Sequence, residues 1–509
     1  MPRRPAPSSR ATDPEPPKPA AGASAPQGPV TIRHYCQGIG DCHLLRFPKQ
    51  GGGTYNILID CGVHSAVKGG SITIARIVAD IAKTVDRIDV LVVTHEHWDH
   101  VSGFLTAAAA FASIPVGEVW MGWTENPADP QARKIDTFKS QAITALQAAH
   151  LELDRAVALS PEATVTRDQL GSLLGFSFGA AGERVRSARD AAIGLAPNHV
   201  RYLEPTQAPW RLDGIAGVRI YVLGPPREMV LLKLTERATE MYGLGAAGPW
   251  YAAEINEAAA PFDPILGTPL AAALGRQVGE GPPGAQEAIV QFMKGHYTDP
   301  VPPAQDVKKA TIKSQGGGGI AALDAVDQSW RRIDAEWLGA SADLAMQLDK
   351  AVNNTSLVLA FEFVDTGRVM LFAADAQVGS WLSWQDLTWQ VDGKAVTGPE
   401  LLGRTVYLKV GHHGSHNATL KAKGLEQMND PDLSGFIPTN AVDAQKIGWG
   451  EMPFSAIVKA LAERTQGRLI RADDPWVSGE TLDGRFAAPV GSLRRVGHEP
   501  GLWVEVEVA

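Results

Sequence analysis

Cysteine is scarce in this 509-residue chain: Cys36, Cys42 and Cys61 are the whole complement. An odd set with no Cys-x-x-Cys spacing excludes a disulfide framework and a cysteine zinc site, and it fits a reducing cytoplasm. The three residues read most simply as small core side chains. An excess of basic charge is also missing. Lys and Arg number 47 against 56 Asp and Glu, a formal net charge of −9, which disfavours nucleic acid as a partner because phosphate-backbone binders carry a basic face. No window reaches the roughly 18 to 20 uninterrupted apolar residues of a membrane span. The arginines at positions 3 and 4 are followed by no apolar run, so a secretory signal is not indicated. A soluble, cytoplasmic protein without a membrane partner is the expectation, and no repeat of fixed period interrupts it.

What is present is the composition of a globular protein, with 44% hydrophobic and 20% charged residues. Residues 1–29 are rich in Pro, Ala and Ser and read as a disordered tail. From Val30, strand patterns "VTIRHYC", "DCHLLRF", "YNILID" and "IDVLVVT" are separated by turns and by a helix stripe at 71–85, and "EVWMGW" at 118–123 closes this first block, 30–124. Residues 125–350 read as a mostly helical insertion or cap, with amphipathic stretches at 132–159 and 320–352, flexible "GEGPPG" and "GGGG" connections, and one strand near 217–223. Residues 351–509 form a second block. It holds a hairpin, "TSLVLAFEFV" and "RVMLFAAD" across a "DTG" turn, then "TVYLKVGHHGS", "GFIPT", a helix at 453–465 and "GRLIRADD". Strands feeding helices make this an α/β chain.

The stretch "VLVVTHEHWDH" sets His95, His97, Asp99 and His100 within six residues at the end of a buried strand. Strand alternation sends His95, His97 and Asp99 the same way. Nitrogen and oxygen donors of this kind suit zinc, iron or manganese. A polar turn with coincidental histidines is the competing reading, and burying so many ionisable groups without a metal would be costly. A second cluster, "VYLKVGHHGSH", places His412, His413 and His416 directly after another strand.

The His-x-His-x-Asp-His motif, followed in order by the blocks "NILIDCG", "LFAADA" and "LKVGHHGS", resembles the metallo-β-lactamase superfamily. The resemblance covers residues 30–123 and 352–475. It implies a four-layer αβ/βα sandwich and two divalent cations, most naturally Zn2+, with Mn2+ or Fe as alternatives. One site would use His95 and His97, the other Asp99, His100 and His413, joined by Asp375, with Asp60 supporting the metal loop from behind. The form of the last block, with "CQGIGDCHLL" and "NNTSLVL", is most similar to the branch containing the ComEC hydrolase domain and the phosphocholine esterases. That similarity makes His413 a ligand, gives His412 a substrate contact or general-acid role, and leaves His416 a loop residue.

Two departures from the family pattern stand out. Where relatives supply a third histidine to the first site, this chain has "AVNNTS", so Asn353, Asn354 or a histidine from the insertion (His150, His199, His296) is a candidate. Where the DNA-uptake branch has a His-Pro pair, this chain has Met452-Pro453. His64 is expected as a solvated loop histidine, with a place facing the site as the alternative. Asp41 is either a brace for the site or an ordinary turn aspartate. Trp250, Trp330 and Trp337 read as packing residues or parts of a lid.

The implied chemistry is hydrolysis by a water that loses its proton between two cations, with Asp99, His412 and Asp375 as catalytic residues and a phosphoester or phosphodiester, or another small molecule, as substrate. The alternatives are hydrolysis of a carboxylic ester, thioester or lactone on the same scaffold, or a metal-bound binding module without turnover. A nuclease would draw only on local basic sets, "KKATIK" at 308–313 and Lys409, Lys421 and Lys423. The insertion is expected to shape specificity or to mediate dimerisation.

Overall fold

A computed structural model describes residues 28–156, 183–242 and 351–509 apart from positions 213, 216, 238 and 448, with a few positions between 164 and 171. Residues 1–27 of the tail, residues 320–350 of the helical stretch expected at 320–352, "KKATIK", His296 and the three tryptophans of the insertion lie outside the described residues.

Two mixed sheets carry the fold. The first contains β1 (Val30–Tyr35), β2 (His43–Pro48), β3 (Thr54–Ile59), β4 (Ile88–Val93), β5 (Val116–Gly122) and β6 (Val200–Leu203). The second contains β7 (Trp210–Arg211), β8 (Val218–Gly224), β9 (Val358–Phe363) and β10 (Val369–Phe372). After a separate hairpin, β11 (Thr388–Val391) and β12 (Lys394–Thr397), the chain adds β13 (Thr405–Lys409), β14 (Ser434–Ile437) and β15 (Leu469–Arg471) to the second sheet. It then returns to the first sheet through β16 (Leu493–Glu499) and β17 (Trp503–Val508). The strand orders are β16-β17-β1-β2-β3-β4-β5-β6 and β15-β14-β13-β10-β9-β8-β7.

β3 through β6 run parallel, as do β10, β13, β14 and β15. Crossover helices cover the outer faces: α1 (Gly70–Thr84), α2 (Trp98–Thr106) and α4 (Glu183–Gly194) by the first sheet, α5 (Val378–Ser383), α6 (Gly398–Gly403) and α7 (Ser455–Arg464) by the second, while α3 (Pro130–Ala156) packs Ala132 with Trp123 and Leu232. Parallel pairs require such crossovers, which explains why these strands read as continuous apolar runs.

Alternation along each strand assigns side chains to layers. Ile57 and Ile59 of β3 meet Leu359 and Phe361 of β9 between the sheets. Leu58 faces outward onto Ile74, Ile77, Val78 and Ile81, the apolar stripe of α1. Ala360 and Leu371 face the opposite way, onto Trp381, Leu401 and Leu461. These three layers of contact make the expected four-layer αβ/βα sandwich. Of the stretch read as helical at 132–159, residues up to Ala156 lie in α3 and the last three fall outside the described residues, and β8 occupies Val218–Gly224 where a strand was read near 217–223. The strand joins the second sheet antiparallel to β9, and β6 and β7 also place residues from the 125–350 region in the two sheets.

Candidate metal centre

Every candidate ligand follows the carboxyl end of a parallel strand, where open α/β sheets bind their ligands. Asp60 follows β3, and His95 to His100 follow β4 and enter α2. Asp375 follows β10, and the His412–His413 pair follows β13. The backbone here is unusual. Asp60, Ala374, His412 and His413 have φ of 56°, 48°, 42° and 55°, and they are four of the six described non-glycine residues with positive φ. Each such conformation costs roughly 1–3 kcal/mol and persists only where its surroundings enforce it. At His412 the enforcement is explicit, because its N–H donates both to Ala374 O and to Asp375 Oδ1, each at 3.0 Å.

Two glycines let the metal loop approach the β3 loop. Asp41 N–H donates to Asp99 O at 3.1 Å and Cys61 N–H to His100 O at 2.9 Å. A Cβ on Gly40 or Gly62 would run into the backbone of Asp99. Gly62→Ala is therefore expected to displace the first turn of α2 and weaken metal binding while the sheets stay folded. Zinc titration alongside far-UV circular dichroism checks this.

Asp99, His100, Asp375 and His413, all buried, bring one donor atom each to within 4.8 Å of one another. His413 Nε2 lies 2.8 Å from Asp99 Oδ2 and 3.3 Å from Asp375 Oδ2, and His100 Nε2 lies 3.1 Å from Asp375 Oδ2 and 3.8 Å from Asp99 Oδ2. Tetrahedral zinc with bonds of about 2.0–2.2 Å separates its donors by roughly 3.3–3.6 Å, so this set fits a divalent cation. Its charge fits as well. Burial pushes the His413 imidazole down, but the carboxylates of Asp375 and Asp99 outweigh burial and raise it to about 10. His100 is likewise held well above its ordinary value against burial, by Asp375, Asp99 and Asp41. The site thus draws positive charge, as protons or as a metal.

Around this set the supporting contacts are specific. Asp60 Oδ2 accepts from His100 Nδ1 at 2.8 Å and from Thr94 Oγ1 at 2.6 Å, and its Oδ1 accepts from Thr94 N–H at 2.8 Å. A carboxylate behind an imidazole fixes the tautomer and turns the other nitrogen toward the metal. His95 Nε2 stands 3.1 Å from His97 Nδ1, and the His95 ring is 4.2 Å from that of His100. The pair thus flanks the four-residue set.

Asn354 does not face that pair: its amide donates to Leu232 O and Leu234 O, and its Oδ1 accepts from Gln377 N–H. Asn353 bonds His412 instead, Nδ2 to Nε2 at 3.1 Å. His199 is exposed at the entry to β6, the end of the sheet remote from the site, and His150 pairs with Asp154 on α3.

The His412 ring is held through Nδ1 by Ser415 Oγ at 2.6 Å, whose hydroxyl donates to Asn417 Oδ1 at 2.7 Å. Burial pushes its imidazole down to about 4. His416 is half-buried beside Glu236, 3.8 Å away, outside the cluster.

Three sequence expectations are revised or resolved. His64 is not a solvated loop residue. It is 4% exposed, its Nδ1 accepts from Ala66 N–H, its ring lies edge-on 5.2 Å from Trp449, and burial pushes it down to about 4. The same indole lies tilted at 5.6 Å from the His413 ring, so the loop after β3 and the loop bearing Trp449 meet over the site. Asp41 is a brace, buried in an ion pair with Lys409 and 3.9 Å from His100 Nδ1. Lys409 in turn is no surface cation: it is 1% exposed, and its ammonium stands 4.0 Å from Asp375 Oδ1.

The sequence reading also missed the buried chain behind Asp41. There, His34 Nδ1 meets His43 Nδ1 at 2.9 Å and His34 Nε2 meets the Tyr407 hydroxyl at 2.7 Å. The strand positions of His34, His43 and Lys409, polar residues in otherwise apolar buried strands, were the available signal.

Residues 37–184 match the family model described as metallo-beta-lactamase superfamily. The match contains Asp60 and His95 to His100, and the fold delivers Asp375 and His413 from beyond it. No curated protein matches the chain. The metallo-β-lactamase superfamily domain and the clustered metal-binding residues together point to a metal-dependent hydrolase.

Proposed function

We propose that the chain is a binuclear metal-dependent hydrolase that acts on a phosphoester or phosphodiester. The observation carrying the proposal is the convergence of Asp99, His100, Asp375 and His413, with His95 and His97 alongside. The phosphoester preference is supported by the resemblance of "LKVGHHGS", "NNTSLVL" and "CQGIGDCHLL" to families acting on phosphodiesters. When bound there, divalent metal lowers the pKa of a water and offsets charge developing on the attacked group.

The protein's own contribution is placement. Asp60 turns His100 Nε2 toward Asp99 and Asp375, and the His412 backbone N–H holds the Asp375 carboxylate. His412, neutral near pH 7 and fixed through Nδ1 by Ser415 and Asn417, is assigned a hydrogen-bonding contact to the substrate rather than delivery of a full proton. His413→Ala is expected to lose metal, whereas His412→Ala is expected to keep metal and lose rate. Metal content and kcat measured on both variants test this assignment, and the reverse pattern would exchange the two roles.

The test of function is turnover by the metal-loaded chain on bis(p-nitrophenyl) phosphate, p-nitrophenyl acetate, a thioester and a lactone. Preference for the phosphodiester supports the proposal, and preference for a carboxylic substrate overturns the phosphoester assignment. Full metal loading with no turnover on any of the four would favour a binding module.

A further inference from the structure

The two positions of the metal motif that are not ligands, Glu96 and Trp98, are both gripped by side chains from the crossover between β5 and β6. The Glu96 side chain is 2% exposed. Its carboxylate pairs with the Lys139 ammonium of α3 and with the Arg189 guanidinium of α4, and Arg189 also reaches Glu125 Oε2 at 3.4 Å. Trp98 is buried under the Arg184 guanidinium, 4.6 Å above its ring. α4 lies along α2, the helix that begins at Trp98. Glu96, Glu125, Lys139 and Arg189 thus form one ion-pair network behind the metal loop, in which Arg189 also pairs with Asp190 at 2.9 Å and burial together with the nearby Glu96 raises the Glu125 carboxyl to about 7.

We propose that Lys139 and Arg189 are positioning residues for the metal loop. They act through Glu96 to hold His95 and His97 at the spacing a cation requires, and this rests on the metal-dependent reading above. Glu96 lies between two candidate ligands, so freedom in its side chain is freedom in the 3.1 Å separation of His95 Nε2 and His97 Nδ1. The clamp makes α3 and α4, which belong to the crossover between β5 and β6 that was read as a cap, part of the metal site's scaffold. Losing an outer partner of a metal site typically costs about 10- to 100-fold in metal affinity.

The experiment is zinc affinity by chelator competition in the full-length chain, with far-UV circular dichroism and metal-free melting temperature measured in parallel. The variants are Glu96→Gln, Glu96→Lys alone and exchanged with Lys139→Glu, and Arg189→Gln. Arg189→Gln leaves the Lys139–Glu96 pair in place and covers the case in which Glu96→Gln fails to fold. The expected result is affinity about 10- to 100-fold weaker in Glu96→Gln, a smaller loss in Arg189→Gln, and recovery in the exchanged pair relative to Glu96→Lys alone. Unchanged affinity in the folded variants, or a loss that follows the metal-free melting temperature alone, overturns the clamp. A wild type that binds no zinc would instead overturn the metal-dependent reading itself.

Discussion

Asp375→Asn is expected to strip the centre of metal and to reduce hydrolysis by more than about 100-fold, beyond the loss typical of outer partners. The substitution preserves size and the hydrogen bond from Asp375 N–H to Ser356 Oγ, so the loop after β10 should keep its path. What it removes is the negative charge that His100 and His413 both face, at 3.1 and 3.3 Å. Asp99 alone then confronts two imidazoles, a set with less attraction for a divalent cation. Metal content after dialysis, with turnover at saturating zinc, separates weak binding from lost chemistry. Full metal retention in the variant would contradict the role assigned to Asp375.

Asp41→Asn is expected to cost about 3–5 kcal/mol of stability, because it removes the nearest counter-charge of the buried Lys409 ammonium and leaves only Asp375 Oδ1, 4.0 Å away. Burial alone would push the Asp41 carboxyl up. Lys409 overcomes this, with help from His100 and His43, and holds it far below the ordinary carboxylate range. A carboxyl whose folded-state value is depressed stabilises the fold fully above the unfolded value, near pH 4, and loses that contribution only as pH falls toward the folded value. The deficit should therefore be the same at pH 6 and pH 8. Adding Lys409→Met should return most of it, since replacing both buried charges by apolar groups is often close to neutral. Denaturant unfolding of the single and double variants measures both effects.

Much of the architecture was legible because buried parallel strands and their crossover helices leave plain apolar patterns. The runs at 88–94 and 355–364 became β4 and β9, and the stripe at 71–85 became α1. The site was legible in part, because ligands that crowd one turn, as at 95–100, declare themselves by residue type. Asp60 and Asp375 look like ordinary strand-end aspartates, and only the blocks around them marked their place.

What could not be read was interaction across long separations. Lys409 looks like any lysine near a basic stretch until the fold brings Asp41 against it from 368 positions away. His64 looks like a loop residue until the Trp449 loop closes over it. Glu96 and Trp98 carry no signal in the sequence, because their partners lie on α3 and α4, in a region whose pattern speaks only of helices.

The most direct test of the account is a crystal of the full chain grown with zinc and measured on both sides of the zinc absorption edge. The account predicts an anomalous peak enclosed by the side chains of Asp99, His100, Asp375 and His413, and hydrolysis that disappears on chelation and returns with zinc. An empty centre, together with hydrolysis untouched by chelation, would contradict it.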